Sequence, residues 1–336
     1  MSRVLALITL ISLLGVFASG AATLYLLRTD PSKVVLLKTA LFTKPVADRS
    51  AFTAPPRALI EQGFMTDDTE RIDAWRERMI EEAHWVSVID ERALPSDPVA
   101  RAKAIALLFS TNGDDSCGAP SLMANVHRLP TGKGCCSDHS EVFLALSSFL
   151  GLQARETRQT RHTHNEIYDS ESKQWIWIDS QFALMARSPD GRYLSLLELR
   201  DRYIAGDQFE FEFFGTGAHE FSRHSPREGE YYSSSAEFVD LYVGLGNNVF
   251  EQDDFRARLA FLPKPVWQLL GKITGVVPGF ALYSDGQSAR ANELRRLRLF
   301  FSTLGLLMFA GLFAYPVYSI QRRSGRRSSG GVARRV

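Results

Sequence analysis

The segment from Cys136 to Phe149 constrains the fold more than any other part of this chain of 336 residues. It has the length of a helix, and after its first turn its side chains are nearly all apolar, on all sides. Such a helix offers no face to water, so other elements must enclose it. Gly151 follows and is expected to end the helix. The chain must therefore build a layered core around this segment.

Strands and further helices are predicted on both sides of this helix. Residues 152–182 read as three strands. Upstream, residues 66–90 keep apolar side chains at three- and four-residue spacing, which predicts an amphipathic helix. Another helix is predicted to begin at Pro98, with Ser96 or Asp97 as its N-terminal cap. A buried helix packed on antiparallel strands makes the predicted fold class α+β.

The second and third strands are predicted to form a hairpin. If residues 169–172 form a four-residue loop, His162 faces Asp179 on the neighbouring strand. Opposed residues have Cβ atoms about 4.5–5.5 Å apart, which lets an imidazole meet a carboxylate. A register shifted by two residues is the alternative, and it would place His164 opposite Asp179. The favoured register predicts a His162–Asp179 pair.

Two apolar runs, Val4–Leu27 and Leu299–Ile320, stand near the ends of the chain. At about 1.5 Å per residue, each can cross a hydrocarbon core roughly 30 Å thick. A cleaved signal peptide is the alternative for the first run, because small residues at 18–22 could hold a cleavage site. The run continues past these residues, so an uncleaved anchor is favoured.

The tail after the second run, residues 321–336, holds six arginines and no acidic residue. The positive-inside rule places this tail in the cytoplasm. The expected protein is a two-pass protein of the cell (inner) membrane with residues from about 30 to 297 on the extracytoplasmic, or periplasmic, side. The predicted segments are an anchor or signal at 1–28, a tether at 29–58, a helical lead-in and core at 59–184, an extension of unassigned role at 185–297, a transmembrane helix at 298–321 and a basic tail at 322–336.

Charge and cysteine content limit the classes of function. The formal net charge of +1 provides no basic field, so binding to nucleic acid is not expected. Three cysteines outside the cytosol suggest one disulfide and one free thiol. A bridge between Cys117 and Cys135 would leave Cys136 free. A bridge between the adjacent Cys135 and Cys136 is strained and is the less favoured alternative.

A cysteine at the start of the buried helix is a chemically reactive arrangement. The helix dipole and unpaired backbone N–H groups stabilise a thiolate and lower the pKa of the thiol. His162 and Asp179 follow, and this order suits a thiol nucleophile, its base and the acid that orients the base. Gly134 allows close backbone approach to a substrate. Asp138 and Glu141 are expected to cap the helix.

Zinc binding is the competing interpretation, because thiolates and imidazoles are common zinc ligands. The sequence has no CxxC or HExxH spacing, and the only close pair on a predicted strand is His162 with His164. No metal or other cofactor is therefore expected. The conceivable ligands are Cys117, Cys135, Cys136, His139, His162 and His164.

Three motifs in this order resemble the core of the transglutaminase-like superfamily, whose members share a papain-like arrangement. The family patterns are glycine, any residue, cysteine, any residue, aspartate; histidine, three residues, glutamate, apolar, tyrosine; and tryptophan, three residues, aspartate. The matching residues are Gly134, Cys136 and Asp138; His162, Glu166, Ile167 and Tyr168; and Trp175 and Asp179. The glycine and Ala-Arg pair after the helix match as Gly151, Ala154 and Arg155. The resemblance covers roughly residues 97–183.

The resemblance implies that Cys136, rather than Cys135, is the nucleophile, with His162 as base and Asp179 as orienting acid. It implies a peptide or protein amide substrate, and either hydrolysis by a peptidase or amidase or transfer to an amine by a transglutaminase. The backbone N–H of Cys136 is the expected oxyanion donor. Two residues depart from the family: His164 replaces an aromatic residue, and Ser180 replaces a proline.

A non-catalytic binding or scaffold protein is the alternative to an enzyme. Two spans and the unassigned residues 185–297 would suit a component of an envelope assembly. The expected partners are thus an amide substrate, membrane lipid and an envelope protein.

Overall fold

The fold is described from a computed structural model. It describes residues 10, 14–15, 43–46, 48–61, 65, 67–83, 86, 94–110, 121–159, 162–215, 242–244, 249–262, 264–277, 280–283, 296, 299, 303 and 305. The chain divides into two compact units, residues 43–291 and residues 1–42 with 292–336. Within the described residues, no helix has both the length and the apolar character needed to cross a membrane. Apart from single positions, the two predicted spans and the basic tail lie outside the described residues.

An eight-stranded sheet is the framework of residues 43–291. Its strands are β1 (Thr43–Val46), β2 (Ala154–Arg158), β3 (Thr163–Asp169), β4 (Gln174–Asp179), β5 (Leu184–Arg187), β6 (Glu210–Phe213), β7 (Tyr242–Gly244) and β8 (Phe280–Tyr283). Their order across the sheet is β1-β8-β7-β2-β3-β4-β5-β6. The β1–β8 pair is parallel, and the other neighbouring pairs are antiparallel. The predicted α+β class is confirmed.

The helices lie before, between and after these strands. They are α1 (Ser50–Thr53), α2 (Pro56–Glu61), α3 (Thr69–Glu82), α4 (Pro98–Leu107), α5 (Leu122–Arg128), α6 (Cys136–Phe149), α7 (Leu196–Ala205), α8 (Val249–Arg258) and α9 (Lys264–Thr274). A short 3-10 helix, Leu129–Thr131, follows α5. The amphipathic pattern over residues 66–90 corresponds to α3, which Asp68 caps by accepting a hydrogen bond from the Arg71 N–H. Asp97 caps α4 in the same way, as predicted.

Helix α6 is buried at the centre of the main core. It packs on β2 and β3, while α3, α4, α5 and α8 contact it from other sides. Phe143 and Leu146 on α6 and Ile167 on β3 are fully buried in this core. Each such side chain contributes about 1.5–3 kcal/mol on burial. The expectation that this helix must be enclosed is confirmed, and Gly151 follows it with a left-handed φ of 68°.

The β3–β4 hairpin has the register shifted by two residues, so the favoured register was wrong. Asp169 pairs with Gln174, and the loop is residues 170–173. Asp169 belongs to the strand, and its carboxylate accepts hydrogen bonds from the N–H groups of Glu171 and Ser172, which closes the loop. Lys173 completes the turn with a left-handed φ of 56°. Because the Asp169 carboxylate closes the loop in this way, every facing pair of the hairpin is shifted by two residues from the predicted register.

Two predicted boundaries also need correction. Residues 43–58 were assigned to a tether, but they form β1, α1 and part of α2. Phe52 is buried in a cluster with Tyr283, because the aromatic ring gains more from burial than from exposure. The boundary between 184 and 185 falls inside β5, whose neighbours β4 and β6 continue the same sheet. The region after 185 therefore completes the sheet.

A buried ion pair joins several of these elements. The Arg155 Nε and Nη2 atoms donate to Glu166 Oε2 at 2.9 and 2.7 Å. Arg155 also donates to the Phe52 carbonyl, and the Leu196 N–H donates to Glu166 Oε1 at 2.8 Å. The guanidinium lies 4.0 Å from the ring centroid of Trp175. One pair thus connects β2, β3, α1 and α7.

Candidate active site

Cys136 is the first residue of α6, and its side chain is half-buried. The N–H of Cys135, the N-cap, donates to Asp138 Oδ2 at 3.2 Å, so Asp138 caps the helix as predicted. Gly134 has a φ of 134°, which favours glycine, and a Cβ there would lie 2.6 Å from a methyl of buried Leu129. This close packing fixes the backbone where the loop ends and the helix begins, and it thereby positions Cys136.

The surroundings of Cys136 favour its thiolate. Burial alone would raise the pKa of the thiol. The neighbouring His162 ring, with its positive charge, and the Thr163 backbone outweigh burial and lower this pKa. The helix N-terminus adds a positive partial charge at the same position. The site can therefore hold a thiolate beside an imidazolium.

His162 precedes β3 and is buried against Asp179 at the end of β4. His162 Nε2 donates to Asp179 Oδ2 at 2.6 Å. Burial would lower the pKa of His162, but the carboxylate charge, its hydrogen bond and the contact with Cys136 raise this pKa to about 10. Because Nε2 faces the carboxylate, Nδ1 is the nitrogen left to exchange a proton with the thiol.

The orientation of Asp179 is set by the turn that follows it. Asp179 Oδ1 accepts the N–H groups of Gln181 and Phe182 at 2.9 and 3.1 Å. These two bonds turn Oδ2 toward the imidazole. The Phe182 ring stacks on the His162 ring with centroids 5.3 Å apart. The carboxylate and the aromatic ring together hold the imidazole in one plane.

The His162–Asp179 pair forms although these residues are not opposed in the sheet. Asn165 pairs with Ile178, so the register makes His162 and Asp179 diagonal neighbours. Diagonal side chains lie farther apart than opposed ones, but long side chains still reach each other. The structure therefore brings together the three predicted site residues through a contact different from the predicted one.

His164 lies beside the triad and does not belong to it. Its Nδ1 forms a 2.7 Å hydrogen bond with the Thr157 hydroxyl, and its ring packs edge-on against Trp177. Burial, together with the nearby charge of His162, lowers the pKa of His164 well below its ordinary value. This histidine is therefore neutral. Its Nε2 is buried and has no hydrogen-bond partner among the residues that the structure describes.

The cysteines leave one thiol for chemistry in the described part of the chain. Cys135 is disulfide-bonded and Cys136 is free, so the adjacent bridge is excluded. Cys117, the predicted partner of Cys135, lies outside the described residues. Among the residues that are described, no three histidine, cysteine or acidic side chains are placed to hold a metal ion.

Glu141 does not cap α6. Its Oε2 accepts a 3.0 Å hydrogen bond from Asn125 Nδ2 on α5. Burial raises the pKa of Glu141 to about 7, although the charge of Arg256 opposes this shift. The second acidic residue of the predicted capping pair is thus a half-buried group between two helices.

Sequence reasoning missed the residues that support the triad from behind. The roles of Phe182 and of the N–H groups after Asp179 were not predicted. The only indication of them in the sequence is an aspartate followed by a polar turn. A cavity of about 370 Å³ elsewhere in the fold contains none of the triad residues. It lies between α4 and the β3–β4 hairpin and is lined by polar residues that include Lys103, Arg192 and Tyr193.

Comparison of the chain with protein-family models, with curated proteins and with solved structures finds no match.

Proposed function

We propose that this chain is a membrane-anchored, transglutaminase-like thiol enzyme that acts on an amide bond. The observation that carries the proposal is the connected arrangement of Cys136, His162 and Asp179. The Cys136 thiol lies beside the His162 imidazole, which lowers the pKa of the thiol, and a buried carboxylate holds that imidazole at 2.6 Å. A nucleophile, its base and an orienting acid need this order of contacts.

The chemistry follows from the charge state of the pair. The Cys136 sulfur attacks the carbonyl carbon of the amide, and the carbonyl oxygen takes the negative charge. The backbone N–H of Cys136 makes no hydrogen bond to another described residue, so it can donate to that oxygen. His162 gives its proton to the leaving amine as the C–N bond breaks. A thioester on Cys136 remains.

The second step releases the acyl group. Water or a second amine attacks the thioester carbonyl, and His162 takes the proton of the attacking group. The C–S bond breaks, and the thiolate returns. Water makes the protein a peptidase or amidase, whereas an amine makes it an acyltransferase. Asp179 stabilises the imidazolium in both steps and keeps Nδ1 directed at the sulfur.

Two further observations support the family proposal. The three motifs that resemble the transglutaminase-like superfamily converge on one site, although β3 and β4 pair in the other register. A buried helix with a cysteine at its first position packs on an antiparallel sheet. Both are features of a papain-like core.

The membrane location is proposed from the two apolar runs and the arginine-rich tail. Three leucines described within these runs, Leu10, Leu14 and Leu299, are helical and 54%, 60% and 70% exposed. Leucine side chains exposed to this extent on a helix are typical of a surface that contacts lipid. The site would then face the extracytoplasmic side of the cell membrane, where the Cys135 disulfide is stable.

The test is the reactivity of Cys136 in the purified full chain. We expect iodoacetamide to alkylate Cys136 at pH 6 far faster than it alkylates glutathione, because a thiolate is already present. Labelled casein tests hydrolysis, and a biotinylated primary amine offered with casein tests transfer. Cys136→Ala should abolish either product, and Ser137→Ala is the matched control one residue along. Ordinary thiol reactivity together with full activity of Cys136→Ala would exclude an enzyme of this kind and favour a binding or scaffold protein.

A further inference from the structure

We propose that Asn165 is a positioning residue that sets the geometry of the triad; the inference rests on the proposed function. Asn165 is fully buried on β3. Its Nδ2 donates to Ser140 Oγ at 2.9 Å, and its Oδ1 accepts from Ser180 Oγ at 3.3 Å. One carboxamide therefore connects three segments that are distant in sequence.

Each of these segments carries one triad residue. Ser140 lies on α6 about one turn after the thiol. Asn165 lies three residues after His162, and Ser180 directly follows Asp179. A change in the Asn165 contacts therefore alters the spacing of helix, strand and turn at once.

The direction of the carboxamide is determined by chemistry. Its Nδ2 also lies 3.4 Å from the Ser140 carbonyl oxygen, which can only accept a hydrogen bond. The amide nitrogen must therefore face α6. The oxygen then faces β4, where the Ser180 hydroxyl donates to it. Ser180 stands at the position where the family usually has proline, and this hydrogen bond gives the departure a physical role.

The location of this network argues for positioning rather than for stability alone. The neighbours of Asn165 on the same face of the sheet, Ile167 and Ile178, belong to the apolar core under α6. A buried amide costs free energy unless its partners are placed well, whereas an apolar side chain would simply pack there. Such buried networks select one arrangement of the elements that they connect.

The arrangement that matters is the distance from the Cys136 sulfur to its two stabilising groups. These groups are the His162 ring and the Thr163 backbone, both at the start of β3. If α6 moves away from β3, both contacts lengthen and the thiolate becomes less stable. Asn165 prevents this movement because it holds α6 from within β3.

The experiment measures the alkylation rate of Cys136 against pH in the full chain. Asn165→Leu keeps a side chain of similar size but removes both hydrogen bonds. We expect its rate to fall about tenfold at pH 6 and less than about twofold at pH 9.5, because the thiol pKa rises while access is unchanged. Asn125→Leu is the matched control, since Asn125 is equally buried and bonds to α6 at Glu141. Asn125→Leu should have a lower melting temperature than wild type and the wild-type pH profile of Cys136 alkylation.

A second set of variants separates positioning from folding. Ser140→Ala combined with Asn165→Leu leaves one fewer unpaired hydroxyl, so it should recover part of the melting temperature. The raised pH midpoint should persist, because the connection to α6 is still missing. Ser140→Ala alone removes the side-chain hydrogen bond from Asn165 to α6, and it replaces Asn165→Leu if that variant fails to fold.

The outcomes distinguish this inference from the proposed function. If wild-type Cys136 reacts as an ordinary thiol, the proposed function fails. If wild-type Cys136 is reactive at pH 6 and Asn165→Leu, or Ser140→Ala in its place, keeps the wild-type pH profile, the role of Asn165 is refuted while the triad stands. The role of Asn165 is also refuted if, in the double variant, the pH midpoint of alkylation returns to the wild-type value together with the melting temperature.

Discussion

Replacing Asp179 by asparagine is the most direct test of how this site holds a thiolate. The substitution preserves shape and removes one charge. Oδ1 of Asp179 accepts two backbone N–H groups, so the oxygen of the new amide must stay there. The amide nitrogen then replaces Oδ2 and donates to His162 Nε2. The neutral imidazole therefore carries its proton on Nδ1, where it blocks proton transfer from the thiol.

The structure indicates the size of the effect. The pKa of His162 is about 10 against an ordinary value of 6.5. This difference corresponds to on the order of 5 kcal/mol in favour of the charged ring. Burial opposes that charge, so without the carboxylate the pKa of His162 should fall below its ordinary value. The Cys136 thiol then loses the positive charge that lowers its pKa.

The assay is the alkylation of Cys136 by iodoacetamide between pH 5 and 10. A thiol with the ordinary pKa of 9.0 is ionised to only about 0.1% at pH 6. Asp179→Asn should therefore react at least about tenfold more slowly than wild type at pH 6, and the two rates should converge above pH 9.5. Asp169→Asn, in the same hairpin, is the control and should keep the wild-type profile.

An unchanged pH profile in Asp179→Asn would refute this reasoning. It would mean that the carboxylate does not hold the imidazolium and that the helix N-terminus alone lowers the thiol pKa. Equal loss of rate at every pH would also contradict it, because that result indicates lost access rather than lost ionisation.

Three further predictions concern stability of the full chain, measured by thermal unfolding. Arg155→Met leaves its buried glutamate partner unpaired and should cost about 3–5 kcal/mol, whereas exposed Arg57→Met should cost less than about 1 kcal/mol. In wild type the lowered pKa of Cys136 and the raised pKa of His162 change the pH dependence of stability in opposite directions, so the contributions of these two residues should largely cancel between about pH 6.5 and 9. In Cys136→Ser the thiolate is absent but Asp179 still raises the histidine pKa, so the stabilisation, complete below pH 6.5, should be lost as the pH rises through a folded pKa that lies below the wild-type value of about 10; a flat profile would contradict this. Glu141→Gln should leave stability unchanged at pH 4.5 and raise it by about 2 kcal/mol at pH 8, because the folded carboxyl has a pKa of about 7 and its charge is destabilising above that pH.

The parts of the fold that sequence predicted well depend on local patterns. Helix α6 was predicted from its apolar run Val142–Leu146 and from Gly151, which follows it. The hairpin register failed because Asp169 looks like a loop residue, and only its carboxylate contacts show that it ends a strand. Nothing in the sequence indicates that Lys173 in that loop adopts a left-handed φ. One strand residue thus decided the whole register.

The parts that sequence missed depend on contacts between distant segments. Residues 43–58 show no periodicity, and they fold because Phe52 contacts residues more than a hundred positions away. The Cys136 and His162 motifs could be read because each contains reactive residues in a fixed spacing. The contacts of Asn165 could not be predicted, because its two partners lie on other segments and nothing near it in the sequence identifies them.

The parallel pair of β1 and β8 has a mechanical consequence. The chain enters the described sheet at Thr43, the start of β1, and leaves it at Tyr283, the end of β8. Tension between these two points pulls the strands past each other along their length. All hydrogen bonds of the pair then carry the load together, whereas an antiparallel pair with adjacent ends would open one bond at a time. A domain held at both ends by this pair resists extension by shear, and the strands β3 and β4 that carry the candidate site lie three or more strands away from the loaded pair.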